Sequence, residues 1–484
     1  MPSGEESQIR RTARISITEG IFAQVYSSLA APGSVFITRF AVMLGAAPFH
    51  FAVISAIGQL AQLFQPFGAL ITRRKRYRKN SVITLNAIGR SLTFFYGFLP
   101  FLFAPKVALW IFISMFFVAT TLQAMGGNIW IAWISDIIPT RIRGRFFSRR
   151  AQYLFFTGML TGYVFSFLID LFQPDRGVIS GTAAKILDNP AVLSPHNLKY
   201  VFLFLFAFAS AVGLYGLRIL RTQPEKRKEI EHSRMFGYLV DPLKDKNFRK
   251  LLIYALWWMF AVGIGAPFWQ PFMIKKLGMS MTEIQIYGTI NVVSSILSLK
   301  FWGEIIDNFG NKNAMRLAVI LGGLNPMIWL FAKPHRYWML FFEAASAGAM
   351  WAGAGVVAVN FVLAVAPREK QQIYSGIFNA FSGIGMMTTM LLSGLVIPED
   401  PGTTWLNLQP EQVLFALTGI LRWTTQIPLS WIDEPHQKPF GDALVYMRQF
   451  AKVRIVKLMG FSWVRNFVKN GLGNGKTKSH KRRS

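Results

Sequence analysis

Cysteine is missing from all 484 residues, which excludes a disulfide scaffold, a thiolate zinc site and a cysteine nucleophile, and leaves the redox compartment open. Histidine is nearly as scarce. The six residues, His50, His196, His232, His335, His436 and His480, stand outside or at the edges of the apolar segments without catalytic or ligand spacing. Neither a lipid-modifying enzyme nor a metal or cofactor site is therefore expected. Acidic residues number 23 against 52 basic ones, and charged residues of both signs make up only 15% of the chain, well under the roughly 25% of soluble domains. What is present instead, 52% hydrophobic and 15% aromatic residues, is the composition of a protein dissolved in lipid.

A helix crossing a hydrocarbon core of about 30 Å needs about 20 mostly apolar residues, because its backbone polar groups must be satisfied internally. Twelve segments meet that requirement, at residues 18–43, 48–71, 81–103, 107–134, 151–172, 198–219, 250–273, 282–302, 313–332, 337–365, 373–396 and 411–430. The opening stretch MPSGEESQIRRTARIS is polar and has no apolar signal-peptide core, so the first segment is expected to remain as a span.

Lysine and arginine collect between the segments. With the N-terminus inside, the inner loops and tail hold 40 of them, the outer loops 8 and the spans 4, namely Arg39, Arg90, Lys300 and Arg422. Basic loops stay cytoplasmic, so both termini are expected inside a cytoplasmic (inner) membrane. The densest run, TRRKRYRKN at 72–80, has six basic side chains in nine positions. Alone it would suit a nucleic acid. Between two spans it is expected to anchor them at anionic lipids of the inner leaflet, with no nucleic-acid partner.

The chain also repeats itself. PFGALITRRKRYRK after the second span and FWGEIIDNFGNKNAM after the eighth each place a glycine near a helix end, and Gly68 and Gly303 are 235 residues apart. Pro139 and Pro367, after the fourth and tenth spans, are 228 apart, and each is followed seven positions later by an aromatic residue, Phe146 or Tyr374. The two offsets divide the chain into a cytoplasmic N-terminus 1–17, a six-span bundle 18–219, a charged linker 220–249, a second bundle 250–430 and a basic tail 431–484.

Gly303, Asp307, Gly310 and Lys312, spaced G-x-x-x-D-x-x-G-x-K, resemble the cytoplasmic loop signature of the major facilitator superfamily. The first-half counterpart departs from it, with Thr72 at the aspartate position and Lys75 at the second glycine. SDIIPTRIRGRFFSRR is similar to the loop after the fourth span of many bacterial members. The resemblance implies an all-α membrane protein of twelve transmembrane helices in two six-helix pseudo-repeats. It also implies a monomeric secondary transporter that moves a small solute by alternating access, with proton coupling among its options. A receptor or scaffold that keeps the fold without transporting is the alternative. The signature implies a cytoplasmic gate built from Gly68, Arg73, Asp136, Arg143, Gly303, Asp307, Gly310 and Lys312: glycines for close approach and a tight turn, Asp307 to pair a cation or cap a helix end.

In the superfamily the first, fourth, seventh and tenth spans line the cavity. This directs attention to Glu19, Gln24, Tyr26, Ser27 and Arg39, then Gln123 and Asn128, then Trp257, Trp258 and Gln270, then Glu343, Trp351 and Asn360. The candidate substrate or ion pathway is Glu19, Gln24, Arg39, Gln123, Asn128, Trp257, Glu343, Trp351 and Asn360. Intramembrane carboxylates are costly unless paired or hydrated. Glu343 is the candidate proton carrier, with structural pairing as its alternative, and Glu19 is either functional or a solvated helix-end carboxylate. Arg39 can snorkel to the interface, and Arg90 and Arg422 call for structural partners. Gln59, Gln62 and Gln65 share a helix face, for water or for interhelical hydrogen bonds. Gly158 and Gly162 form GxxxG in the fifth span, where the glycine-proline signature of many antiporters is absent. GLGNGK at 471–476 lacks phosphate-loop spacing. Residues 440–470, with Trp463 among alternating apolar and basic positions, are expected to form a basic amphipathic helix on the inner leaflet.

Overall fold

The computed structural model describes residues 4–73, 75–173, 194–225, 241–367, 370–398, 408–434, 439–442 and 445. Most of the expected tail helix and linker residues 226–240 lie outside the described residues. The principal helices are α1 (Gly4–Ala30), α2 (Val35–Met43), α3 (Pro48–Leu63), α4 (Gln65–Arg73), α5 (Lys79–Tyr96), α6 (Pro105–Ile137), α7 (Thr140–Leu171), α8 (Leu198–Arg221), α9 (Lys246–Gly265), α10 (Met281–Phe309), α11 (Asn311–Ile328), α12 (Met339–Val365), α13 (Gln371–Val396), α14 (Pro410–Thr424) and α15 (Gln426–Ser430).

Their starts follow local chemistry. Ser280 and Glu283 form a reciprocal capping box at the head of α10, and the Asp245 carboxylate accepts from the backbone nitrogens of Asn247 and Phe248 to start α9. Pro105 and Pro410 open α6 and α14, where a missing N–H costs nothing.

Eight helices among the described residues are long and apolar enough to cross a membrane, and the α3–α4 pair, bent by 42°, makes up to nine. The expected spans 81–103, 282–302 and 411–430 coincide with α5, α10 and α14, which fall short of that measure. α14 has only 15 residues before the chain bends into α15. Polar positions including Asn86, Arg90 and Thr93 interrupt α5, and Glu283, Gln285, Asn291 and Lys300 interrupt α10. Outward-facing apolar side chains are abundant, as with Leu297 at 72% and Val396 at 75% exposure. A water-soluble monomer could not carry such a belt; lipid solvates it.

Two cores form. In the first half Phe40 packs its ring 5.1 Å from Phe112, 5.2 Å from Phe202 and 5.0 Å from Phe206, and Tyr96 stands edge-on to Phe112 at 5.1 Å. Such pairs contribute roughly 0.5–1.5 kcal/mol each beyond area burial, which matters in lipid because apolar helices gain little by merely meeting. The second core gathers α9, α10, α11, α12 and α13 around Trp258, Trp302 and Val319. The halves touch through α3 against α13 and α7 against α10.

Close helix contact depends on small residues. A Cβ on Gly348 of α12 would overlap the Asn291 carbonyl of α10, a backbone atom that cannot swing aside. Gly348→Ala is expected to cost about 1–3 kcal/mol, read as a lower melting temperature of the detergent-purified protein, whereas Gly355→Ala, with open space at its Cβ position, is expected to be near neutral.

Candidate functional site

The first span is not continuous. Ala31, Pro32, Gly33 and Ser34 separate α1 from α2; Pro32 has no N–H, and Gly33 holds φ +83°, which suits glycine. Ser34 restarts the helix, its hydroxyl accepting from Phe36 N and donating to Ser28 O at 2.7 Å. The second half breaks in register. α9 stops at Gly265, and Ala266, Pro267 and Phe268 lead to a short turn and a π-helical turn at Phe272–Lys276. Ala31-Pro32 and Ala266-Pro267 are 235 residues apart, the offset of Gly68 and Gly303. Paired interruptions of this kind mark binding sites in transporter folds.

Both breaks border a cavity of about 880 Å³ between the halves, within the range of small-molecule sites. α1 brings Gln24, Ser27 and Ser28; α7 brings Gly158 and Gly162; α10 brings Gln285, Tyr287, Thr289 and Asn291; α12 brings Glu343 and Trp351; α14 brings Arg422. The GxxxG pair does not join two backbones. A Cβ on Gly158 would lie 2.8 Å from Gln24 Nε2 and one on Gly162 2.6 Å from the Gln285 side chain, so the glycines admit two amides, one from each half.

Among the described residues, charge on the wall is confined to one group of each sign. Glu343 is 4% exposed and accepts a hydrogen bond from the Tyr287 hydroxyl at 2.8 Å. Arg422, also 4% exposed, donates Nη1 to Gly322 O at 3.0 Å and lies over the rings of Trp258 and Trp351, 5.8 and 5.6 Å from their centroids. Trp269 stacks on Phe415 at 3.8 Å and stands 4.7 Å from Trp329, which gives the cavity an aromatic side.

One end of the cavity is sealed by hydrogen bonds between the halves. Thr38 Oγ1 donates to Gln270 Oε1 at 2.6 Å, and Gln270 Nε2 donates to Gly33 O at 2.9 Å. Asp170, at the end of α7 and 1% exposed, accepts from Met281 N at 2.7 Å and Thr282 N at 2.8 Å. Ser280 takes the next orphan N–H, that of Glu283. A carboxylate of one half thus neutralises the positive helix start of the other. This end is opposite the basic turns, since α7 and α10 run antiparallel and Tyr163 bonds Thr289 further along them.

Three of the pathway candidates, Gln24, Glu343 and Trp351, border the cavity. The others have different surroundings. Glu19 is buried between Arg90 (3.7 Å) and Arg150 (3.8 Å), so the carboxylate of α1 is the partner that Arg90 calls for. Gln123 donates to the Tyr26 hydroxyl at 2.9 Å, itself 2.8 Å from Thr93 Oγ1, and Asn128 donates to Gln65 O at 3.1 Å. Arg39 is buried in α2. Trp257 faces outward and donates to Thr424 Oγ1 at 2.9 Å, and Asn360 is half-buried near the far end of α12. The fourth span, expected on the wall, instead packs as α6 against α3, α4 and α5, while α7 and α10 occupy the wall. Of the glutamine stripe, Gln65 bonds Gln62.

The signature residues gather at the basic end. Arg78 pairs with Asp136 at 2.5 Å, and Arg143 caps α6 by donating to Ser135 O and Ile138 O. Gly68 lies so close to α6 that a Cβ would stand 2.8 Å from Met125 O; Arg73 ends α4, its side chain outside the described residues. In the second half Gly310, with φ +88°, ends α10. The Glu434 carboxylate then accepts from Asn311 N and Lys312 N at 2.7 and 2.8 Å, and Lys312 Nζ donates to Ser430 O and Ile432 O at 2.8 Å. Gly310 and Lys312 therefore clamp this turn to the end of α15 within their own half. Asp307 is exposed, as is open space beside Gly303.

Sequence comparison gives a family profile, Major Facilitator Superfamily, matched over residues 251–443. A search of curated proteins returns no match. Among solved structures, the nucleoside transporter NupG is similar over 88% of this chain and 98% of its own, at TM-score 0.60 and 12% identity. A D-xylose-proton symporter aligns over 89% of this chain and 99% of its own at TM-score 0.59 and 15% identity. The xylose transporter XylE from E. coli, in an inward open conformation, aligns over 91% and 99% at TM-score 0.57 and 12% identity. The shared fold extends over both halves, the profile falls on the second, and the apolar belt with its long helices makes this an integral multi-pass membrane protein. The second half thus carries the Major Facilitator Superfamily profile, and the chain as a whole is similar in fold to the transporters named above.

Proposed function

We propose that this chain is a secondary transporter of a small solute, working as a monomer by alternating access in an inner membrane. The observation that carries the reading is the cavity between the halves, roofed at one end by Asp170, Thr38 and Gln270. In this reading twelve spans form bundles 18–219 and 250–430 around the linker 220–249. N-terminus 1–17, tail 431–484 and the basic turns face the cytosol and anionic lipid. The sealed end faces out, and the cavity opens inward. Rocking of the bundles would break the α7–α10 latch and close the basic end, bringing Asp307 toward a partner.

Glu343 is the proton carrier of this reading. It is the single acid on the described wall, its hydrogen bond comes from a neutral tyrosine, and no ion pair within 4 Å joins it to Arg422 among the described residues. It can therefore gain and lose a proton without dismantling a salt bridge. Purified protein in vesicles, given a labelled metabolite panel with and without a pH gradient, tests both claims. Gradient-driven accumulation is expected for at least one solute, and Glu343→Gln is expected to lower it to the level seen without a gradient while solute exchange persists. Accumulation unchanged in Glu343→Gln would reject the proton role; no solute moved from the panel would reject transport.

A further inference from the structure

Two of the buried arginines, Arg90 and Arg422, are treated differently. Arg90 donates Nη1 to Gly213 O and has the Glu19 carboxylate 3.7 Å from Nη2. Arg422 makes the matching carbonyl contact, Nη1 to Gly322 O, but no carboxylate lies within 4 Å of it among the described residues. Its Nε, like that of Arg90, is buried without a hydrogen-bond partner, but no hydrogen bond or carboxylate contact is formed by its Nη2 among the described residues. The Nε–Nη2 edge is the one that receives two oxygens of a carboxylate in parallel, and a buried guanidinium with that edge vacant is incomplete as a structural group. Arg422 lies on the cavity wall.

We infer that the cavity binds an organic monocarboxylate with an apolar or aromatic body, its carboxylate held on the Nε–Nη2 edge of Arg422. The inference rests on the cavity being the transport site and names the solute class. Arg422 is the single cation on the described wall and Glu343 the single acid. With Glu343 protonated, one cation balances one negative charge, whereas a phosphate dianion would leave an excess negative charge in the cavity. Trp351, over which the guanidinium lies, and the Trp269–Trp329 side offer flat apolar surface to the body of the solute. Gln285 and Asn291 remain for polar substituents.

The probes are phenylacetate and its neutral isostere phenylacetamide, titrated at neutral pH against detergent-purified full-length protein, with intrinsic tryptophan fluorescence as the readout. The acid is expected to bind about tenfold or more tighter than the amide, the discrimination expected of one charge-assisted bidentate pair. Arg422→Gln is expected to abolish that preference and Arg422→Lys, which keeps the charge but not the planar edge, to lose most of it. The acid–amide comparison in the unaltered protein decides the matter should a variant not fold. Equal binding of acid and amide, or binding of neither, overturns the inference. Transport is read separately: vesicle uptake of a neutral solute, unaffected by Arg422→Lys, would overturn the inference and leave the transporter reading standing. A bound carboxylate that never crosses the membrane would do the reverse.

Discussion

Asp170→Ala is expected to unseal the outer end of the cavity. The carboxylate holds two backbone N–H groups of the opposite half, at 2.7 and 2.8 Å, and hydrogen bonds to a charged group are worth roughly 1.5–3 kcal/mol each. Loss of both removes about 3 kcal/mol of preference for the state described here, about a hundredfold in the ratio of two conformers. Asp170→Asn keeps one acceptor oxygen and no charge, so its shift is expected to be smaller. Reactivity of a thiol placed on the cavity wall toward an impermeant reagent added from the Asp170 side measures the change. Unaltered reactivity in Asp170→Ala would mean that the α3–α13 contact, not this latch, holds the end shut.

The second large effect is expected at Glu19. Removing its charge leaves the buried Arg90 and the half-buried Arg150 together without an anion, and breaking a buried ion pair from one side costs about 3–5 kcal/mol. Glu19→Gln is therefore expected to fold poorly or melt far below the parent in detergent, with Glu19→Asp intermediate. The contrast is Glu343→Gln, which takes no carboxylate within 4 Å away from any cation among the described residues and is expected to keep its thermal stability. A Glu19→Gln protein with parental stability but without transport would move Glu19 from the scaffold to the pathway.

These two acids show what the residue order reveals. Eight of the twelve oily segments were legible because length and apolarity alone decide whether a helix can cross lipid, and the 235-residue spacing of Gly68 and Gly303 recurs at the two Ala-Pro breaks. The Ala31-Pro32-Gly33-Ser34 break was also written locally, in a run of helix-breaking residues, but an averaged hydropathy passes over it. Asp170 was not legible: an acid near the end of an apolar stretch looks like any helix terminus, and its meaning depends on α10 arriving from 111 residues away. Similarly, Gln285, Tyr287 and Asn291 sit on a helix that superfamily habit places behind the cavity, and only the packing of α10 against α7 brings them to its wall. Glu343 and Trp351 were found because an acid or tryptophan within hydrocarbon is unusual wherever it stands. Glu19 met the same criterion, yet its partners Arg90 and Arg150 lie on two other helices, which no spacing along the chain could indicate.

The central claim is that the cavity communicates with one side of the membrane at a time, and the absence of native cysteine makes it directly measurable. Ser27→Cys places a lone thiol on the cavity wall, and Tyr77→Cys, in the exposed turn beside Asp136, marks the side of the basic turns. Vesicles of both orientations are treated with a membrane-impermeant maleimide. The account predicts that the Ser27→Cys thiol reacts from the face that labels Tyr77→Cys and is shielded from the other, and that adding Asp170→Ala opens it to the second face. Reaction from the Asp170 face in the otherwise unaltered protein, or from both faces equally, would contradict it.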